Sequence, residues 1–441
     1  MPAAPSLLIV PYRSKTGRLY SQIPVPVAPA TTGAGDFTVT RNTEARRFNS
    51  AGLIASVASG IPRLDYYTSG GTAGCPALLI EPSATNGILN SADTRTNWVC
   101  WSGFTSGAID VIGVSGTNLT VAVSGSNIGA GAGVGNLSRS TNNVALASGS
   151  TYTISFLLKK TGSHTIGGYF ATITGAGAGD LAAGFDVSGS FSSGSFFTSN
   201  FTTNRIRRVE QWGTDVFRCS ETFTMSASGT LTTFRVGPVS GVTSANNPAV
   251  GAGIGFAAPQ LELGSVPTSF IPTTAGTGSR SADVISVSGA VSGSIGQTEG
   301  TIYMEVDLKN KGVSISRVIY LSDGTSNNEI RISHSVTTAG DLQIAIRLAG
   351  SLVVNQTSPT AVYFGINKIA VGYKVGTNEV VMYVNGSQII LSTSSGNMPA
   401  CNTIHLGSQL GTSNFLNDRI RAAALYTTRL TNAELATLTT L

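Results

Sequence analysis

The sequence predicts an all-β protein: a small N-terminal β module followed by two antiparallel β-sandwich, or jelly-roll, domains. Three observations carry this. Apolar side chains recur at alternate positions in run after run. The 53 glycines follow no collagen period and cluster between those runs, where they serve as turns. The 441 residues exceed what a single sandwich core can organise. Hydrophobic residues make up 41% and charged residues 11%, so ordered cores are expected, while solubility falls to Ser, Thr, Asn and Gly.

Residues 1–35 hold one apolar strand candidate, Leu7–Val10, and then Pro24, Pro26 and Pro29, which block a regular helix or a central strand. They read as an extended arm lying on another surface. Residues 36–92 interleave charged side chains with Phe37, Val39, Phe48, Leu53, Ile54 and Leu78-Leu79-Ile80, the pattern of a compact module of short strands and turns.

Residues 93–275 form the first sandwich. Tyr152, Ile154, Phe156 and Leu158 share one face of a strand, with Thr151, Thr153 and Ser155 between them. The segment Gly264 to Asp283, with Pro267, Pro272 and a Thr-Ala-Gly-Thr-Gly run, marks a domain boundary. Residues 284–441 form the second sandwich. Ile302/Met304/Val306/Leu308, Leu342/Ile344/Ile346/Leu348 and Ile369/Val371/Tyr373/Val375 alternate cleanly and point to one sheet face on a shared core. Asn385-Gly386 between two strand-like runs supplies the two positive φ angles of a type I′ hairpin. Thr431 and Glu434 form a capping box for one short closing helix.

The composition excludes several classes of function. The net charge of +5 is spread thinly; Arg46-Arg47 and Arg205, Arg207, Arg208 are the tight basic groups, without the basic, aromatic-bearing stripe of a nucleic-acid binder. Cys75, Cys100, Cys219 and Cys401 lie far apart, and His164, His334 and His405 form no ligand or triad motif, so no metal site, no cofactor and no catalytic residues are assigned. Asp215 with Glu221, or Glu305 with Asp307, would be the carboxylates for a glycan-cleaving alternative, and the latter two are expected to face solvent. The Asp323–Asn328 loop is read as a polar hairpin turn rather than a Ca²⁺ site.

Met1–Val10 has neither a basic leader nor the length to span a membrane, which implies synthesis in the cytosol without membrane insertion. The Thr/Ser/Gly-rich make-up suits an extracellular surface. A virus particle released by lysis reconciles the two.

The stretches Lys15–Ser21, Gly35–Asn49, Gly52–Ile54, Pro62–Tyr66, Cys75–Pro82 and Thr85-Asn86, taken together, resemble the opening module of structural proteins in tailed bacteriophages of Bacteroidota, crAss-like phages among them. Residues 97–275 resemble jelly rolls related in shape to carbohydrate-binding modules, through the closing phrase Pro259–Pro272. Residues 300–441 resemble a laminin-G or concanavalin-like sandwich, through Asn367–Val371, Val381–Gly386 and Arg429–Thr431. These resemblances imply a non-enzymatic virion protein, a head or tail fibre acting in receptor binding. It would attach to other virion proteins through its N-terminal region, as a homotrimer, and touch host polysaccharide. A capsid, collar or tail decoration protein is the alternative.

Two sets of site residues follow. Asp36, Arg41, Glu44, Arg46, Arg47, Arg63, Asp65 and Glu81 are expected to form structural ion pairs that hold the opening module together. Trp98, Trp101, Gln211 and Trp212 are the candidates for glycan binding, because the apolar face of a pyranose stacks on an exposed ring beside amide or acid groups.

Overall fold

In the computed structural model, four large antiparallel sheets stack as two sandwiches, and Asn432–Thr439 is the one α-helix among the described residues. The structure describes residues 4–11, 14–21, 36–67, 74–95, 98–100, 104–111, 114–123, 137–161, 165–176, 178–188, 202–213, 215–239, 252–289, 291–308, 315–334, 341–359, 363–376, 379–393 and 397–441. The protein is all-β. No described helix is long and apolar enough to cross a membrane.

The C-terminal sandwich is a composite of both ends of the chain. Its eight-stranded sheet runs Ser387–Thr393, Glu379–Val384, Gly365–Lys374, Glu299–Leu308, Asp418–Tyr426, Ala77–Ile80 and Leu64–Asp65, with Leu7–Ile9 also paired to Asp418–Tyr426. Two N-terminal strands thus lie end to end along that strand: Ile80, Leu79 and Leu78 oppose Asp418, Arg419 and Ile420, while Ile9, Leu8 and Leu7 oppose Ala423, Ala424 and Leu425. The nine-stranded partner sheet begins with Ser14–Lys15, Arg18–Leu19 and Phe37–Thr40. It continues through Val284–Ser288, Thr403–Leu406, Ser316–Ser322, Glu329–His334, Leu342–Leu348 and Ser351–Thr357.

This corrects the expected division. The described parts of residues 1–35 are not an arm on another surface, because Leu7, Ile9 and Leu19 are buried in the same core as Phe37, Leu78, Ile80, Ile302, Met304 and Ile344. Burying an aliphatic side chain of that size stabilises by about 1.5–3 kcal/mol, which favours pairing inside the chain. Pro24, Pro26 and Pro29 lie outside the described residues. Residues 36–92 are likewise no separate module. Phe37–Thr40, Leu64–Asp65 and Ala77–Ile80 complete the two sheets, the hairpin Ala45–Phe48/Ile54–Val57 stands by itself, and Ala84–Asn86 pairs with Gly278–Arg280. Residues 284–441 alone would lack the flank of Asp418–Tyr426. The three alternating runs also face one core from two sheets: Glu299–Leu308 and Gly365–Lys374 from one, Leu342–Leu348 from the other.

The other sandwich is inserted between the N-terminal strands and the rest of the composite. A five-stranded sheet (Val99–Cys100, Leu137–Leu146, Gly229–Pro238, Ile166–Thr174, Gly179–Asp186) faces a six-stranded one (Phe104–Val111, Val114–Val123, Gly253–Leu263, Thr151–Lys160, Val216–Met225, Thr202–Gln211). Its core is aromatic, with Phe156 edge-on to Phe185 at 5.5 Å. The incoming and outgoing connectors zip together, Ala84–Asn86 against Gly278–Arg280. Asn86, fully buried, staples this neck. Its Nδ2 donates to the carbonyls of Pro259 and Ile271, and its Oδ1 accepts from the amides of Ile88 and Leu261.

Local signals appear where the sequence placed them. Asn385 (φ 49°) and Gly386 (φ 84°) turn Glu379–Val384 into Ser387–Thr393. The Thr431 hydroxyl accepts from the Glu434 amide at 3.3 Å, and the Glu434 carboxylate accepts from the Thr431 amide at 2.9 Å.

Candidate ligand site at the junction of the sandwiches

Where the two sandwiches and the Ala45–Val57 hairpin meet, a buried charge network forms. Arg63 is wholly buried. Its Nη1 donates to Glu81 Oε2 at 2.6 Å and to Ser269 Oγ at 2.8 Å, while Nε and Nη2 hold the two oxygens of Asp283, the former at 3.2 Å. Arg41 reaches Asp283 Oδ1 at 2.9 Å and donates to the carbonyls of Thr43, Val57, Ala58 and Ile61. Arg280 closes the network on Glu81 Oε2 at 2.9 Å. Burial alone would push the Glu81 carboxyl up, but Arg63 and Arg280 outweigh it and hold the group well below the usual carboxylate range.

Of the residues expected in ion pairs, Arg63 meets Glu81 and Arg46 meets Glu44 at 2.7 Å. The others find different partners. Arg41 takes Asp283, Asp65 takes Arg419 at 3.0 Å, and Asp36 accepts from the Ser21 amide at 3.1 Å. Arg47 makes no acid pair among the described residues; it donates to the carbonyls of Phe48 and Leu64 and lies over the Tyr66 ring. Asp283, Arg280, Ser269 and Arg419 were missed because they come from sequence more than 180 residues away from their partners. The segment that supplies Ser269, Arg280 and Asp283 had the composition of a linker. Its run Ser279-Arg280-Ser281-Ala282-Asp283 was the available signal, a charged pair inside an otherwise neutral stretch.

Beside the network lies a narrow cleft, open to solvent, whose own volume is about 40 Å³. Trp212 forms one wall. Its ring stands edge-on to Phe48 at 4.8 Å and to Tyr67 at 6.0 Å, the Arg218 guanidinium lies 5.1 Å from its centroid, and its Nε1 donates to Glu210 Oε2 at 3.1 Å. Ile54 of the hairpin packs with Trp212 against Leu157, Val216 and Ala257. Arg46, Arg47, Arg419, Asn417, Asp65 and Glu81 also line it, so cations and carboxylates flank an aromatic surface. Burial opposes the charge on Arg419, but Asp65, Asp307 and Asp418 outweigh it and hold its pKa above the ordinary value.

The three described glycan-binding candidates do not converge. Trp98 is 7% exposed, edge-on to Phe234, with Nε1 donating to the Asn90 carbonyl at 3.2 Å. It is a core residue, and its burial corrects the expectation of a platform. Trp101 lies outside the described residues. Gln211 is exposed and donates to the Gly213 carbonyl. Of the described candidates, Trp212 is the one that lines a cleft.

The carboxylates considered for glycan cleavage are engaged elsewhere. Glu221 is fully buried and accepts from Arg205, from Arg207 Nε at 3.1 Å and from the Tyr169 hydroxyl at 3.1 Å, while Asp215 is exposed. Glu305 accepts from Arg421 Nε at 2.7 Å. Asp307 is 7% exposed, so it does not face solvent as expected. Asp323 accepts from Thr325 and Asn328 of its own loop, which is the hydrogen-bonding of a turn. No cluster that could hold a metal ion occurs among the described residues.

No family model matches the chain, and no curated protein matches it. Among solved structures, it is similar to the Ruminococcus gnavus IT-sialidase CBM40 bound to a sialyllactose (16% identity, 33% of this chain and 84% of that one, TM-score 0.30). It is also similar to the NanB sialidase of Streptococcus pneumoniae (18%, 34% and 26%, TM-score 0.31) and to a SAP-like pentraxin of Limulus polyphemus (15%, 32% and 68%, TM-score 0.25). The architecture and site described above rest on the sheets and side chains themselves.

Proposed function

We propose that the protein is a non-enzymatic structural protein of a tailed-bacteriophage particle, a fibre or adhesin whose sandwiches contact saccharide on the host surface. The observation that carries the saccharide contact is Trp212, an aromatic wall set among Arg46, Arg218, Glu210 and Asn417 in a cleft between domains. Such a ring supports the apolar face of a pyranose, and the flanking donors and acceptors match its hydroxyls. The engagement of Glu221 by two arginines and of Glu305 by Arg421 favours binding over hydrolysis. Attachment to other virion proteins would use the outer surface of the N-terminal strands, and the particle form would be a homotrimer.

A glycan array of the full-length protein, alongside Trp212→Ala, tests the contact. Retention of a saccharide by the wild type and its loss in the variant are expected; a wild type at background on every glycan sinks this reading. Immunogold labelling of whole particles tests the placement, and sedimentation tests the trimer. Decoration of capsid, collar or tail is the second reading. It draws on the burial of Leu7 and Ile9, which builds into the fold the residues a docking arm would use. Label lying flat on the shell would favour it over a projecting fibre.

A further inference from the structure

A second and larger cleft opens beside Asn417, which lines both it and the Trp212 cleft. Its volume is about 320 Å³, within the roughly 300–1,000 Å³ of small-molecule sites. One wall is built from the two connectors of the inserted sandwich, residues 82–84 on the way in and 263–266 on the way out. The other comes from the composite sandwich, Ile315 and Ser316 with the loop 414–417.

Both walls are held from behind. The Gly264 amide donates to the Thr151 carbonyl at 2.9 Å, and the Thr222 hydroxyl donates to the Ser265 carbonyl at 3.0 Å. Across the cleft, the Arg317 amide donates to the Asn414 carbonyl and the Leu416 amide to the Gly407 carbonyl, each at 2.8 Å. Asn414 Nδ2 donates to Gln409 Oε1 at 2.7 Å, which fixes the side-chain amide. The cleft is thus shaped in advance, which spares a ligand the cost of ordering it.

Its chemistry is unlike that of the Trp212 cleft. Among the described residues, no Asp, Glu, Lys, Arg or His lines it. Leu263 is 69% exposed at its rim, and Phe415 packs against the composite core while staying partly exposed. The hydroxyls of Ser83 and Ser316 and Asn414 Oδ1 have no hydrogen-bond partner among the described residues, and all three side chains are at least partly exposed. Apolar surface beside uncharged hydroxyl and amide groups suits the apolar face and the hydroxyls of a pyranose. A charged substituent would lose its hydration here with no countercharge to replace it.

We infer, resting on the saccharide contact proposed above, that this cleft is a second saccharide site, selective for uncharged glycan units.

An array of cello-, malto-, xylo- and chito-oligosaccharides beside oligogalacturonates, probed with the full-length protein, tests this. Ser83→Trp fills the cleft and Leu263→Ser strips its apolar rim, both from exposed positions, so neither should lower the melting temperature. The wild type should retain at least one neutral series above the oligogalacturonates. Ser83→Trp should weaken that retention by roughly tenfold or more, Leu263→Ser should weaken it less, and Trp212→Ala should leave it in place. A neutral glycan retained equally by Ser83→Trp, or lost in Trp212→Ala, would overturn the second site and leave the Trp212 contact standing. A wild type at background on every glycan would overturn both.

Discussion

Arg63 grips both oxygens of the Asp283 carboxylate although 220 residues separate them, and neither side chain is more than 2% exposed. The inserted sandwich occupies most of that interval, so this pair holds the two sides of its neck together. Removing one member of a buried, hydrogen-bonded ion pair strands the other charge in a poor solvent, at a cost of about 3–5 kcal/mol. Arg63→Met should lower the urea midpoint accordingly. Arg46→Ala, whose partner Glu44 is 57% exposed, should stay within about 1 kcal/mol of the wild type. Equal effects from the two variants would remove the network from its structural role.

Acid should loosen the same region. Glu81 ionises below its ordinary value of 4.5 in the folded protein, so the folded state binds fewer protons than the unfolded chain in that range. Its contribution is present above the unfolded value and is lost as the pH falls through 4.5 toward the folded one. Glu262, raised by burial, acts in the opposite sense and loses its contribution as pH rises above the ordinary range. Denaturation midpoints measured from pH 6 to pH 3 should therefore fall more steeply for the wild type than for Glu81→Gln. Parallel curves would rule out Glu81 as a source of the slope.

The built-in N-terminal strand makes a sharp distinction from a free arm. Leu7 is 1% exposed in the composite core, so Leu7→Ala should destabilise the isolated protein by about 2–5 kcal/mol. An arm that orders only on another molecule would show no change in the melting of the isolated protein.

Thiol chemistry offers an independent readout of packing. Cys75 is exposed, whereas Cys219 and Cys401 are buried and their thiols are pushed up by desolvation, that of Cys401 to about 12. Alkylation followed by mass spectrometry should modify Cys75 within minutes and leave Cys219 and Cys401 untouched until denaturant is added. Labelling of Cys219 at the rate of Cys75 would contradict the aromatic core around it.

Gly386 sits at φ 84° in a two-residue turn. A side chain there is strained by about 1–2 kcal/mol, and Gly386→Ala should lower the melting temperature. An unchanged transition would mean that the turn relaxes to another type.

Local pattern made the strands legible and left their partners hidden. Ile302, Met304, Val306 and Leu308 announced a strand, and Asn385-Gly386 announced the turn between Glu379–Val384 and Ser387–Thr393, because both signals act over a few residues. Nothing local distinguishes Leu7–Ile9 as a strand of this sandwich from the same residues as an arm, since that choice depends on an edge more than 400 residues away. The site divided in the same way. Arg63 and Glu81, close in sequence, could be paired on paper. Asp283 could not, and Trp98 became core because the sandwich closed over it.

One consequence reaches back to synthesis. Strand Asp418–Tyr426 receives Leu7–Ile9 and Ala77–Ile80 along a single flank, so these early segments wait with their edges bare until residue 426 has left the ribosome. The inserted sandwich draws its strands from one continuous stretch and can mature during that delay, bringing the two connectors together. Such long-range closure is slow, which makes the nascent N-terminal edge the point most in need of a chaperone's cover.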